Sequence, residues 1–305
     1  MINTVLKPIS GEELGITLMH EHIMLDYRKA DQMDTRIHDR EEVAQAMLPY
    51  LLKLKDNGCQ TLVDATPPGS GRDVKVLAML AKRSGLNILT CTGTFKDKGL
   101  PYRYKEMDIS SIVAGWEREY SQGIDDTGIR PAFIKIAFNE GAVTPLEEKI
   151  FQVAVSTSLK TGLPIQAHIT SPEKGYQIFK LIQEEELPPE KFIWAHADCD
   201  QEVTRIDEVA RAGIWIQLDS IGLIPYEKHI NLIKTLSDKG LNEQILISQD
   251  RGWYVAGEDK AKFVRPYHHL FTKFIPLALK KGINQKELNQ YLINNPKRVF
   301  KEKGE

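Results

Sequence analysis

Eight short runs of β-branched and apolar residues, separated by longer amphipathic stretches, set the strongest limit on how this chain folds. In order they are ITLMHEHI, CQTLVDA, NILTCTG, AFIKIAF, PIQAHI, FIWAHA, WIQLDS and QILISQD. Between them lie helical patterns such as REEVAQAMLPYLLKLKDNG, GRDVKVLAMLAKRSG and PLEEKIFQVAVSTSLKTG. Several helical stretches end in glycine just before the next strand, as in KRSGLN, LKTGLP, ARAGIW and SDKGLN. Glycine there reaches the positive φ that closes a helix and feeds the following loop. Repetition of eight βα units predicts a closed parallel barrel, an α/β fold of the (β/α)8 TIM type, with a short N-terminal extension and C-terminal helices. A doubly wound open sheet needs no eighth unit and usually carries a phosphate-binding glycine loop after its first strand. Here the first strand ends in histidines instead.

The 305 residues show no Pro-, Gly- or Ser-rich linker, low-complexity tract or charge block, so a single domain over 1–305 is expected. Forty basic and 42 acidic residues leave a formal charge of −2, which implies no polyelectrolyte partner and argues against nucleic acid. Three scattered cysteines, Cys59, Cys91 and Cys199, form no disulfide framework and point to a reducing compartment. The opening MINTVLKPIS lacks the pattern of a secretory signal, and no apolar run reaches membrane-spanning length. The expectation is a soluble cytoplasmic protein without a membrane partner.

Chemistry concentrates at the C-terminal ends of these strands. In a strand, residues two apart share a face, so His20 and His22 point one way and Glu21 the other. Lys135 lies in the apolar strand AFIKIAF, where an unpaired ammonium is costly to desolvate. A lysine at the barrel rim, snorkelling or ion-paired, is one reading; a carbamate formed with carbon dioxide, able to bridge two cations, is the other. PIQAHI and FIWAHA end in His168 and His196, and QILISQD ends in Asp250. A lone histidine at a strand end is commonly a satisfied polar group, and an aspartate there can simply cap the next helix. In a closed barrel, however, the first and eighth strands are neighbours. Asp250 then stands beside His20 and His22, and all six residues gather at the face where barrel enzymes place their chemistry.

With GITLMHEH, VDATPPGSGRDV, GIDDTGIRPAFIKIA, TPLEEKIF, TGLPIQAH, WAHADCD and ILISQD in this order, the sequence resembles the phosphotriesterase-related branch of the amidohydrolase superfamily. The similarity runs from about residue 11 to the terminal NNPKRVF. It implies a binuclear centre, usually zinc: His20, His22 and Asp250 on the more buried ion, His168 and His196 on the more exposed one. Carboxylated Lys135 and a hydroxide bridge the pair, and two metals acidify that water enough to supply hydroxide near neutral pH. Asp250 is then the catalytic residue that takes the proton and passes it to the leaving group. Family resemblance also favours a homodimer.

Departures from the family pattern narrow the substrate. Phosphotriester-cleaving relatives carry an aspartate three positions after the sixth-strand histidine, where this chain has Cys199 between Asp198 and Asp200. Acyl-homoserine lactonases show an arginine after the seventh strand, where Ser220 stands. The loop TFKDKGLPYRYKE brings Lys96, Lys98, Tyr102, Arg103 and Lys105, and DRGWY places Arg251 and Tyr254 just past Asp250. Arg-x-x-Tyr there resembles the phosphorylated-sugar lactonases, and guanidinium suits phosphate or carboxylate. A lysine of those relatives is missing, since SIGLIPYEK offers Leu223 and only later Lys228. Arg251, Tyr254, Tyr102 and Arg103 are the candidate substrate-binding residues. The expected function is hydrolysis of a small anionic lactone, with an N-acyl amide or phosphoester hydrolase as the alternative and a non-catalytic metal- or ligand-binding barrel as a third reading.

Overall fold

The computed structural model describes residues 1–201, 203, 205–258 and 263–301. Its strands are β1 (Thr17–Leu25), β2 (Thr61–Asp64), β3 (Asn87–Leu89), β4 (Cys91–Gly93), β5 (Phe133–Ala137), β6 (Ile165–His168), β7 (Phe192–Ala195), β8 (Trp215–Leu218), β9 (Ile245–Ile247) and β10 (Gly252–Val255). Seven helices lie between them: α1 (Arg40–Asp56), α2 (Val74–Ser84), α3 (Ile109–Gln122), α4 (Pro145–Thr161), α5 (Pro172–Glu184), α6 (Ile206–Arg211) and α7 (Tyr226–Asp238). Helical turns around Ile275–Lys280, Gln285–Asn289 and Asn295–Val299 follow the last strand. None of the helices in the described residues is long and apolar enough to cross a membrane.

The helices begin where the sequence offers a side-chain acceptor. Asp39, Asp73, Asp108, Thr144 and Ser171 each accept a backbone N–H of the following first turn, satisfying a donor that the helix itself leaves unpaired. Gly85 and Gly162 end α2 and α4 in the left-handed conformation.

Every ladder between neighbouring strands is parallel, in the orders β10-β1-β2-β3 and β4-β5-β6-β7-β8-β9. Two of the eight sequence runs are broken. NILTCTG divides at Thr90 into β3 and β4, and QILISQD leaves the sheet after Ile247, the chain rejoining it as β10 beside β1. These two covalent joins link both sheets into one ring, so the eighth strand meets the first and the TIM barrel closes. Asp250 N–H donating to His20 O (3.1 Å) and His22 N–H to Arg251 O (2.8 Å) carry the contact across the second break.

Two apolar layers hold the ring. Outside, Leu18, Leu62, Ile88, Ile134, Ile165, Ile216 and Ile247 pack under the helices. Inside, Met19, Val63, Leu89, Cys91, Phe133, Ile193 and Leu246 fill the lower barrel, closed by Ile2, Ile9 and Leu14 from the N-terminal extension and by Val299 and Phe300. The register between β1 and β2 slips between Leu18 and Glu21. A bulge of this kind re-aims side chains: Met19 fills the lower interior and His20, the next residue, also faces the lumen. From there the ordinary two-residue period carries His22 inward and Glu21 outward.

Candidate metal centre

Above the apolar plug the barrel lumen turns polar. Lys135, only 1% exposed, donates from Nζ to Gln166 Oε1 (2.8 Å) and stands 3.3 Å from His20 Nε2. Gln166 is held in turn by Met19 O (2.8 Å) and Gln217 Oε1 (3.1 Å). Gln217 donates to Asp219 Oδ2 (2.6 Å). Lys135 and Gln217 each sit one strand step above an apolar residue of the plug, so the alternation that buries Phe133 and Trp215 also delivers them.

Asp219 organises the histidines. One oxygen meets His20 Nδ1 at 2.7 Å and the other His196 Nδ1 at 2.6 Å. His22 Nδ1 is held by Thr66 Oγ1 at 2.8 Å. With their Nδ1 atoms occupied, His20, His22 and His196 turn Nε2 toward the lumen, which is how second partners fix the orientation of metal-binding imidazoles. His22 Nε2 stands 3.2 Å from Asp250 Oδ1, and His196 Nε2 stands 2.8 Å from His168 Nδ1. Ligand atoms of His20, His22 and Asp250 all lie within 4.8 Å of one another, as do those of His20, His196 and Asp219. In the second set both Asp219 oxygens are already engaged by the imidazoles, so Asp219 orients while Asp250 is the carboxylate offered to the cavity.

The charge states suit a cation. Burial, reinforced by the neighbouring Lys135, pushes the His20 imidazole down to about 4, leaving it neutral with a free lone pair at neutral pH. His168 is likewise held well below its ordinary value by burial and by His196. Burial alone would raise the Asp250 carboxyl, yet His20 and His22 outweigh it and keep the group ionised. Burial lowers Lys135 to about 8 against the pull of Asp219 and Asp250. The donor set, imidazoles and a carboxylate, fits one or more divalent ions of the zinc type; Lys135 as an ammonium does not, and fits only once its charge is removed or reversed.

Three residues of the centre occupy or adjoin strained backbone. His196 (φ 65), Asp250 (φ 49) and Trp253 (φ 71) have left-handed φ, and Trp253 Nε1 donates to Asp250 Oδ1 at 3.3 Å. A cleft of about 570 Å³ opens above them, walled by Leu25, Tyr27, Phe95, Lys96, Lys98 and Trp253, with His20, His22, Lys135, His168 and Asp250 at its floor.

The structure therefore brings His20, His22, Lys135, His168, His196 and Asp250 together at the C-terminal mouth. It does not bring Tyr102 and Arg103 there: both line a neighbouring cleft of about 830 Å³ beyond the Asp26–Arg28 ion pair. Arg251 lies behind Asp250, 7% exposed, with Nη2 donating to Gly222 O (3.2 Å) and Nε meeting no acceptor among the described residues. Tyr254, 4% exposed, packs in the outer apolar layer. Asp198 accepts from Ser220 N (2.7 Å) and Oγ (3.1 Å) and pairs with His229 Nε2 (2.8 Å), tying the seventh-strand loop to α7. Asp219, Thr66 and Gln166 escaped sequence reasoning. The available signal was that Asp219 occupies the next-to-last position in WIQLDS, as His168 and His196 do in PIQAHI and FIWAHA.

The profile of the Phosphotriesterase family matches residues 1–300 of the chain. A phospho-furanose lactonase from Mycoplasmopsis synoviae (strain 53) is 29% identical over 97% of this chain and 90% of its own length. A phosphotriesterase homology protein of Escherichia coli (strain K12) is 27% identical over 96% of this chain and 100% of its own. An aryldialkylphosphatase of Saccharolobus solfataricus is 25% identical over 96% of each.

Proposed function

Because the chain belongs to the phosphotriesterase family of hydrolases, we propose that it is a binuclear metal-dependent lactonase whose substrate is a small anionic lactone, with a phosphorylated sugar lactone as the best-fitting class. The carrying observation is the convergence of His20, His22, His168 and Asp250 on one cleft, with His196 Nε2 2.8 Å from His168 Nδ1 and three of the imidazoles aimed by partners at Nδ1. His20, His22 and Asp250 would hold one ion and His168 and His196 the other, with Lys135, as a carbamate, available as a further anionic ligand. When bound, such ions polarise the substrate carbonyl and acidify a water molecule enough for attack near neutral pH. Asp250 takes the proton of the attacking water and returns it to the departing alkoxide, for which its ionised carboxylate at the cleft floor is suited. Asp219 steadies His20 and His196 while charge is redistributed.

The anionic substrate class draws support from the similarity to a phospho-furanose lactonase and from the cations around the cleft. Lys96 and Lys98 stand in its wall, and Arg251, behind Asp250 and outside that wall, has an Nε donor that meets no acceptor among the described residues. The test is a panel of phosphorylated lactones, their dephosphorylated analogues, N-acyl amides and phosphoesters, run on metal-loaded protein. Preference for phosphorylated lactones is expected. Preference for amides or phosphoesters would replace the substrate class, and no turnover of any member by metal-loaded protein would remove the catalytic reading.

Arg251→Met refines the test. Loss of a charge-assisted contact worth roughly 1.5–3 kcal/mol lowers kcat/KM on phosphorylated lactones on the order of ten- to a hundredfold, and spares the dephosphorylated analogues. Equal losses on both would assign Arg251 to support of the Gly222 loop.

A further inference from the structure

Glu21 separates two of the histidines and faces away from the cleft, and its carboxylate is completely buried. No lysine or arginine side chain among the described residues forms an ion pair with it. Burial pushes its carboxyl well above the ordinary value, and the hydrogen bonds it accepts work against that. Its partners all come from one place: Oε1 accepts from Ser248 Oγ (2.8 Å) and Gln249 N (3.2 Å), and Oε2 accepts from Arg251 N (2.8 Å). Gln249 and Arg251 are the two neighbours of Asp250.

This is the segment where the eighth strand leaves the sheet, between the end of β9 and the start of β10. Its backbone loses ladder partners there, and Asp250 adopts a left-handed conformation that an ordinary strand would not hold. β1 replaces the missing ladder. Ser248 Oγ also accepts from His20 N (3.0 Å) and lies 3.2 Å from His20 O, to which Asp250 N donates. The residue that supplies the Nε2 ligand and the residue after it thus clamp both sides of the Asp250 peptide.

We infer that Glu21 is a positioning residue that fixes the Asp250 carboxylate relative to His20 and His22 by bracketing its peptide bonds from outside the barrel. It does not line the cleft. The inference rests on the metal-hydrolase reading for its effect on turnover, but its structural part stands independently of that reading.

Glu21→Gln is the test, because the amide keeps the volume while its NH2 group opposes at least one of the three donors. Hydrogen exchange should show lost protection at the 248–252 segment with the rest of the barrel unchanged. Zinc retention against a chelator should weaken on the order of 10- to 100-fold, and kcat on whichever substrate the wild type turns over should fall with KM unchanged. The coupling is read in zinc retention: in an Asp250→Asn background, Glu21→Gln should add almost nothing, since the group it positions is already lost. Additive losses, or wild-type exchange and zinc retention in Glu21→Gln, would overturn the inference. Should Glu21→Gln fail to fold, Ser248→Ala removes one Oε1 donor and must show the same local exchange and weakened zinc retention; wild-type behaviour in that variant would overturn the inference equally. The exchange and chelator measurements need no substrate, so a failure of the lactonase reading leaves them decisive.

Discussion

Asp250 carries its carboxylate on backbone that has already left the sheet, and the left-handed φ that this demands is one that aspartate and asparagine tolerate better than other side chains. Asp250→Asn therefore leaves the local backbone intact while removing the proton acceptor. The metal-free variant should melt close to the wild type, and kcat should fall on the order of 10²- to 10⁴-fold; retained turnover in steady-state assays would move the base elsewhere. Lys135 makes a second residue-scale prediction. Its ammonium form would oppose a nearby cation while its carbamate would ligate one; on the carbamate reading Lys135→Ala should lose bound metal and activity and recover part of both when a short carboxylic acid is added in its place. Full activity without rescue would make it an ordinary buried lysine. The ligand-type residues could be read from the sequence because strand ends are positions that periodicity identifies. Thr66, Gln166 and Glu21 could not, because each acts through a partner on another strand and depends on register, whereas Asp219 stood at a strand end and shows its role only through the two imidazoles it meets. Arg251 illustrates the same limit: adjacency to Asp250 in sequence gave no sign that its guanidinium reaches toward Gly222.

At the scale of elements, the alternating runs predicted which segments pair, and missed where they stop. The breaks at Thr90 and at 248–251 and the slip in β1 all lie inside runs whose composition is uninterrupted, and a two-residue period assumes an unbroken strand. Those irregularities are what aim the centre. Gly93 is another: it pairs in register with Lys135, has φ 113, and a Cβ there would come within 2.0 Å of Lys135 O. Gly93→Ala must push β4 from β5 at the point where Lys135 is held. Calorimetry or denaturant titration should record a loss of roughly 1–3 kcal/mol, and bound metal should fall with it. Gly162→Ala is the matched comparison. It also has positive φ (76), but nothing lies within 4 Å of its added Cβ. It should cost about 1–2 kcal/mol and leave metal content unchanged. Equal metal loss in the two variants would mean that general instability, and not the β4–β5 contact, governs the centre.

Across the whole molecule, the centre fastens strands that the sequence places far apart, from His20 on β1 through Lys135, His168 and His196 to Asp250 beyond β9. The lower barrel has its own support in the inner apolar plug and the terminal segments that seal it. Removing metal should consequently leave a folded barrel with a loosened mouth, measurable as unchanged far-ultraviolet circular dichroism and a lower melting temperature. Returning metal should raise that temperature with the logarithm of its free concentration, because a ligand at a hundred times its Kd stabilises the folded state by about 2.7 kcal/mol per site. Saturated protein, prepared with excess zinc and bicarbonate, should hold about two ions per chain. A stoichiometry of one would mean that only one of the two ligand sets is filled and would exclude a Lys135 bridge. Two ions with full stabilisation but no turnover across the substrate panel would instead favour a barrel that binds metal without catalysis.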